Sequence, residues 1–262
     1  MFPIGSEIPR DTASFCAALT RGLAPLGVPG DSIDIQGEFP QFAYLGINLS
    51  ETRFHRGLEI SRSGGELSPL CFARAVRIHG EPVYAGNVPM QVDLQAEDVV
   101  IAAAPAKSGD GKVMVLERAG NGSVDLSVAK ADLETALLSL GRKAAEDKGA
   151  EIKNLDLQLR SESPRSLSAR ASIEGKALFF TASVTLSGSL EVDDELNARV
   201  RDLRCEGEGM IGKMATGALS AHIDRIQARV FPLGQAFAGL RLRDVRLEAT
   251  DRLRIHASFG GV

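Results

Sequence analysis

The sequence predicts an α+β fold: a long, highly curved antiparallel sheet wrapped around one long helix. Three features carry that prediction. First, apolar and polar residues alternate at period two over most of the chain, the pattern of strands with one buried face. The clearest run is Leu178, Phe180, Ala182, Val184, Leu186, Leu190 and Val192, with Thr181, Ser183, Thr185, Ser187, Ser189 and Glu191 between. A parallel sheet covered on both sides would read instead as continuous apolar runs. Second, the phase slips by one residue in two places. Leu196, Ala198 and Val200 are followed by Leu203 and Cys205, and Leu240 and Leu242 by Val245 and Leu247. An extra residue of that kind is a β-bulge, which bends its strand and coils the sheet. Third, a helical stripe of Ile211, Ala215, Leu219, His222/Ile223, Ile226 and Val230 runs from about Gly209 to Val230, broken by Pro232. Such a helix spans roughly 33 Å. Gly212 and Gly217 keep it slim enough to lie inside a bent sheet.

In chain order, a short amphipathic helix is expected near Thr12 to Leu23. Weaker strands follow at Ile33/Ile35, Ala43–Leu49 and Ala75–Ile78, among more Gly and Pro. Val99–Ala104, Val113–Leu116 and Val124–Val128 read as a meander. Ser108-Gly109-Asp110-Gly111 and Ala119-Gly120-Asn121-Gly122 supply turn residues that tolerate positive φ. A helix over 131–148 puts Leu133, Ala136, Leu137, Leu140 and Ala144 on one stripe and stops at Gly149. Strands then fall at Leu155/Leu157/Leu159, at Leu167/Ala169/Ala171/Ile173, and over 178–192. The last is either one strand bent at Gly188 or a tight hairpin through Ser187-Gly188-Ser189. Val245/Leu247/Ala249 and Leu253/Ile255/Ala257/Phe259 close the chain. With no exact internal repeat, residues 1–262 read as a single domain, least defined over 1–32.

Composition narrows the function. At 262 residues, 44% hydrophobic and 24% charged, the chain can bury a sizeable core. No run approaches the length of an apolar membrane-spanning helix. A net charge of −4 argues against nucleic acid as partner, which calls for a basic face. The charge is uneven: Arg199 to His256 carries +4 and the remainder −8, which reads first as scattered charge on a solvated face and otherwise as a means of orienting the protein at an anionic membrane surface. Cys16, Cys71 and Cys205 lack metal-ligand spacing and read as buried free thiols. The first residues, Met1 to Glu7, have neither the basic nor the apolar region of a secretory signal. As written the chain reads as cytoplasmic, or as periplasmic or cell-envelope if a leader was removed.

The motifs offer little chemistry. Gly207-Glu208-Gly209-Met210-Ile211-Gly212 matches G-x-G-x-x-G, but that fingerprint belongs to a parallel βαβ unit after a near-continuous apolar strand. Here the preceding strand is half polar, so the glycines are read as a tight turn into a closely packed helix. His55, His79, His222 and His256 stand apart, without second ligands. Asp193-Asp194-Glu195 reads as a turn, since no spaced calcium loop follows. No catalytic set, metal site or cofactor is expected, and the chain is not read as an enzyme.

The order of elements from about Ser123 to Gly260 resembles the LmeA-like bacterial phospholipid-binding family: a strand, the helix opened by Ala131-Asp132-Leu133-Glu134, a long alternating pair, a Gly- and Ala-rich helix, and two closing strands. That family belongs to the tubular lipid-binding (TULIP) superfamily. Gly37-Glu38-Phe39-Pro40-Gln41-Phe42 is similar to its early Phe-Pro segment, and the resemblance implies a following strand from Ile47 to Phe54. It also implies a TULIP-like coiled sheet around a helix, and lipid binding or transport at a bacterial cell envelope. The family has no compact functional motif, so it assigns no binding residue. The alternation itself supplies the candidates. Phe180, Val184, Leu186, Met214, Leu219 and Ile223 share the expected inner face and would line an apolar groove for a lipid or other long apolar ligand. The competing expectation is a structural or protein-interaction module in which the same residues fill a solid core.

Overall fold

In the computed structural model, which describes residues 2–5, 7–54, 66–107, 111–146, 150–177, 180–208, 216–217, 220, 223–236 and 241–261, the alternating segments form fifteen strands among the described residues. The molecule is mostly β-sheet with few helices, an α+β fold built on one large mixed sheet and one antiparallel sheet. By contacts the chain divides into two units, Met1–Leu126 with Gly234–Asp244 and His256–Val262, and Ser127–Leu233 with Val245–Ile255.

The first unit opens with β1 (Phe2–Gly5) and α1 (Thr12–Leu23). Asp11 caps α1: the Ser14 N–H donates to Asp11 Oδ1 at 2.7 Å, and Ser14 Oγ accepts from the Asp11 N–H at 3.1 Å. Two donors at the helix start are thereby satisfied reciprocally. Phe15, Ala18, Leu19, Gly22 and Leu23 form its buried stripe, at the i, i+3, i+4, i+7, i+8 spacing of an amphipathic helix. β2 (Ile33–Glu38) and β3 (Gln41–Asn48) form a hairpin, and the Gly37–Phe42 segment spans its tip, with Phe39–Pro40 as the turn. The implied strand from Ile47 to Phe54 is corrected. β3 stops at Asn48 and β4 is only Arg53–Phe54, because the Thr52 N–H and hydroxyl both donate back to the Leu49 carbonyl.

The longest elements are β5 (Ser68–Ala85) and β6 (Val88–Pro105), an antiparallel pair of 18 residues each. Their register shifts between Gly80 and Val83. A Cβ on Gly80 would strike the Val83 side chain and the Leu49 backbone, so glycine is required at this irregularity. β7 (Lys112–Arg118) pairs with the far end of β6, from Val100 to Pro105. β8 (Asn121–Ala129) lies beside β6 rather than β7. The expected meander is therefore corrected: β6 is long enough to pair with both. The Gly120 N–H donates to the Glu97 carbonyl where the chain crosses over. β3 and β4 run parallel to β5, which makes the sheet mixed.

Cys71 on β5 is 5% exposed, and burial pushes its thiol up to about 12 from an ordinary value of 9.0. A rise of that size leaves on the order of 10³-fold less thiolate at a given pH below both values. In the folded protein at pH 8, alkylation by iodoacetamide is expected at Cys16 and Cys205, both half-buried, well before Cys71. Peptide mapping after a timed quench checks this, and equal labelling of all three would refute it.

The second unit, which starts at Ser127 in β8, has α2 (Lys130–Glu146) as its helix before the second sheet. A five-stranded antiparallel sheet follows, from β9 (Ala150–Ser163), β10 (Ser166–Ala177), β11 (Phe180–Val192), β12 (Asn197–Glu208) and β13 (Val230–Pro232), in the order β13-β12-β11-β10-β9. β11 is one strand through Gly188, so Ser187-Gly188-Ser189 is not a hairpin. The phase slip after Val200 is a bulge. Ser189 pairs with Arg201 and Ser187 with Arg204, leaving Asp202 and Leu203 opposite Gly188. A Cβ at Gly188 would lie 3.2 Å from the Arg201 carbonyl oxygen and the Leu203 Cα, so only glycine lets this irregularity close without displacement.

The 209–230 segment, expected as one long helix, is described only in part. Residues 216–217, 220 and 223–227 are helical, the last run being α3. Its expected end at Val230 is corrected: Val230–Pro232 is β13, and Val230 pairs with Arg199. The Arg229 N–H closes a tightened last turn onto Ile226, and Pro232 has no N–H with which to continue a helix. Ile226 and Val230, expected on the buried stripe, are 37% and 47% exposed. A four-residue helix, α4 (Leu233–Ala236), comes next. β14 (Leu242–Ala249) and β15 (Arg252–Gly260) then extend the mixed sheet, in the order β14-β15-β8-β6-β5-β3-β2.

Candidate functional site

The five-stranded sheet has one apolar and one polar face, and its register shows why. Leu157, Ala171, Leu186 and Cys205 stand in one row across β9 to β12; Leu155, Ile173, Val184 and Gly207 stand in the next. Leu167, Leu190 and Val200 continue the same face. The intervening residues, among them Gln158, Arg170, Ser187 and Arg204, point the other way.

Helix α2 is held along the outer edge of β9 by polar side chains. The Leu157 N–H donates to Glu134 Oε1 at 2.9 Å, and Arg142 donates to the carbonyls of Ile152 and Lys153 at 3.0 and 3.2 Å. These bonds satisfy backbone groups that an edge strand would otherwise present for pairing. They also fix the helix's rotation, so its apolar stripe is not wholly spent on packing. Leu137 is 41% exposed and Leu140 59%, against the expectation that this stripe is the buried one. Leu137 instead borders an open groove of about 340 Å³ on the sheet's apolar face. Leu157, Leu167, Ala171, Leu186, Leu190, Val200 and Leu203 line it, and none of its lining residues is charged.

Of the residues chosen from sequence, Leu186 lines this groove, and Val184 stands on the same face one row along. Ile223 is half-buried in α3. Met214, Leu219 and the side chain of Phe180 lie outside the described residues. Sequence reasoning passed over Leu137, Leu157, Leu167, Ala171, Leu190, Val200 and Leu203 as site residues. Their alternation was visible, but which strands bring them together depends on register, and one strand's pattern does not specify that.

The remaining motifs resolve into structure. Gly207 and Glu208 end β12, whose neighbours β11 and β13 are both antiparallel to it, unlike the parallel setting of a dinucleotide fingerprint. Gly209 to Gly212 lie outside the described residues. Asp193 to Glu195 form the turn between β11 and β12. The Asp193 carboxylate accepts from the Asn197 N–H at 2.8 Å and lies 3.4 Å from Arg199, while Asp194 pairs with Arg165 at 3.0 Å. His256 sits 2.8 Å from Asp125 on a strand surface. No cluster of three or more His, Cys, Asp or Glu suited to a metal occurs among the described residues, and no described helix is long and apolar enough to cross a membrane.

The Asn197 backbone N–H, with help from its side chain and from Arg199, holds the Asp193 carboxyl below the usual carboxylate range. A depressed folded-state value stabilises the turn above the unfolded aspartate value of about 3.9, and the contribution is lost as pH falls through the folded value. The Asn197 amide resonance is therefore expected to titrate with a midpoint below about 3.9. A midpoint at or above that value would contradict the assignment.

No protein-family model, curated protein or solved structure matches the chain.

Proposed function

We propose that this protein binds a lipid or another long apolar ligand in the groove on the apolar face of its five-stranded sheet, and that it acts as a carrier and not as an enzyme. The observation that carries the reading is an open groove without a charged lining residue, bordered by a helix that leaves Leu137 and Leu140 in solvent. Its volume falls at the low end of small-molecule sites. Each buried methylene contributes roughly 0.8 kcal/mol, so a sixteen-carbon chain gains about 13 kcal/mol gross. Ordering and association costs reduce that to ordinary micromolar-to-nanomolar affinity.

In the finer form of the reading, the 209–230 segment lies along this face and the sheet curves around it. Phe180, Val184, Leu186, Met214, Leu219 and Ile223 then form the inner wall. Two contacts support that placement: Gln227 Nε2 donates to the Leu203 carbonyl at 3.2 Å, and Cys205 Sγ lies 3.9 Å from Thr216 Oγ1. Membership of the LmeA-like family and peripheral contact with an anionic membrane belong to the same proposal.

Native mass spectrometry and lipid extraction of the purified protein test it, together with titration of a fluorescent fatty acyl probe. A co-purifying lipid, or saturable probe uptake, is expected. Absence of both would leave the exposed leucines as a protein-interaction face and overturn the carrier reading.

A further inference from the structure

The polar face of the five-stranded sheet carries arginines that have no ion-pair partner among the described residues. Two adjacent rows cross four strands: Gln158, Arg170, Ser187 and Arg204, then Arg160, Ser168, Ser189 and Arg201. Neither row contains an acid. Arg201 is engaged by Glu191 at 3.8 Å. Arg160, Arg170 and Arg204 are exposed, and none makes an ion pair or hydrogen bond with another described residue. These side chains border a concavity of about 610 Å³. Glu162, Glu191 and Asp202 line the same concavity, where Glu162 accepts from the Ser168 hydroxyl at 2.6 Å and Glu191 faces Arg201; Asp156 and Glu206 stand in the next row of this face, Asp156 accepting from Gln158 at 3.1 Å.

Strand geometry brings the three free arginines within reach of one another. Arg170 and Arg204 flank Ser187 two strands apart, about 9.6 Å between Cα atoms. Arg160 is the diagonal neighbour of Arg170, at roughly 7–8 Å. Guanidinium groups this close, without an ion-pair partner among the described residues, leave several N–H donors free for one anion. Three guanidinium forks and the intervening Ser187 hydroxyl offer more donors than one carboxylate can accept. They match a phosphate, which brings close to two negative charges and three acceptor oxygens.

We propose that this face binds a phosphate group through Arg160, Arg170 and Arg204, with Ser187 donating beside them. The group comes either from a soluble phosphorylated molecule or from a lipid head group at a membrane surface. The site lies on the opposite side of the sheet from the apolar groove, so the two readings stand or fall separately.

Equilibrium dialysis of the full chain against radiolabelled inorganic phosphate, in chloride at constant ionic strength, tests the proposal. Flotation with phosphatidylcholine vesicles, with and without phosphatidic acid, distinguishes the two sources. Saturable phosphate binding that falls at least tenfold in Arg170→Gln/Arg204→Gln supports a soluble ligand. Arginine-dependent flotation confined to the phosphatidic acid vesicles assigns the site to a head group. Arg225→Gln, an exposed arginine elsewhere in the unit, controls for net charge and should change neither readout. Arg160→Gln provides a second variant should the double substitution unfold, and acyl-probe uptake should be unchanged in all of them. Absence of saturable phosphate binding together with no preference for phosphatidic acid would overturn the proposal. Binding equally strong in the arginine variants and the parent would do the same.

Discussion

Phe15→Ala is expected to destabilise the first unit by about 3–5 kcal/mol, the range for emptying a fully buried aromatic position. Phe15 has no exposure, and its ring centroid lies 5.0 Å from that of Phe42, itself 2% exposed. Phe39 completes the cluster at 6.2 and 6.3 Å from the other two. Truncation would remove the buried area of the ring, leave a void, and forfeit two aromatic contacts worth roughly 0.5–1.5 kcal/mol each. It would also loosen α1 from the β2–β3 hairpin that carries Phe39 and Phe42. The chain has no Trp and only two Tyr, Tyr44 on β3 and Tyr84 on β5, both in the first unit. Tyrosine fluorescence during urea unfolding thus reports this unit without interference from the other. A midpoint shift equivalent to less than about 1 kcal/mol would show that the cluster relaxes to fill the gap.

Much of this architecture was legible because burial repeats locally. α1 was readable from its stripe, and the strands of the second sheet from their period-two alternation. The bulge after Val200 was readable because one extra residue cannot keep both phases. The elements that escaped are those in which a distant partner decides. β5 and β6 run for 18 residues each, of which only Ala75–Ile78 and Val99–Ala104 were legible as strand, since Pro69, Pro82 and Pro89 interrupt the signal. Proline removes a ladder donor and counts against a strand. Only long-range pairing reveals that these positions sit near the strand ends or beside the Gly80–Val83 irregularity. The choice between β7 and β8 as neighbour of β6 is likewise a matter of pairing that no single segment encodes. The stripe of α2 failed for a different reason. Its leucines have helical spacing, but Glu134 and Arg142 dock the helix on the edge of β9 through backbone hydrogen bonds. Polar docking of that kind decides which side faces inward, and a hydrophobicity pattern is blind to it. The groove therefore came from combining strands whose individual patterns were legible with a helix orientation that was not.

Ala171→Trp is the substitution expected to separate an open groove from a packed interior. Ala171 stands between Leu157 and Leu186 on the apolar face and lines the groove at its middle strands. An indole there would project into space that an acyl chain is proposed to occupy. Uptake of a fluorescent fatty acyl probe should then weaken at least tenfold, a loss of about 1.4 kcal/mol or more. Stability should change little, because the ring enters a vacant groove and gains apolar contacts with its leucines. In a tightly filled interior the same ring would have to displace neighbours, and overpacking costs typically 1–3 kcal/mol. Because the chain otherwise lacks Trp, the new side chain is its own reporter. Blue-shifted emission, quenched weakly by iodide, places the indole in the apolar groove, whereas water-like emission places it outside. Lost uptake with an apolar indole and near-parent stability is the outcome the carrier reading requires. Undiminished uptake beside a groove-bound indole would move the ligand away from this face of the sheet. Severe destabilisation, joined to a parent protein that takes up no probe, would establish instead that these residues exist to be packed.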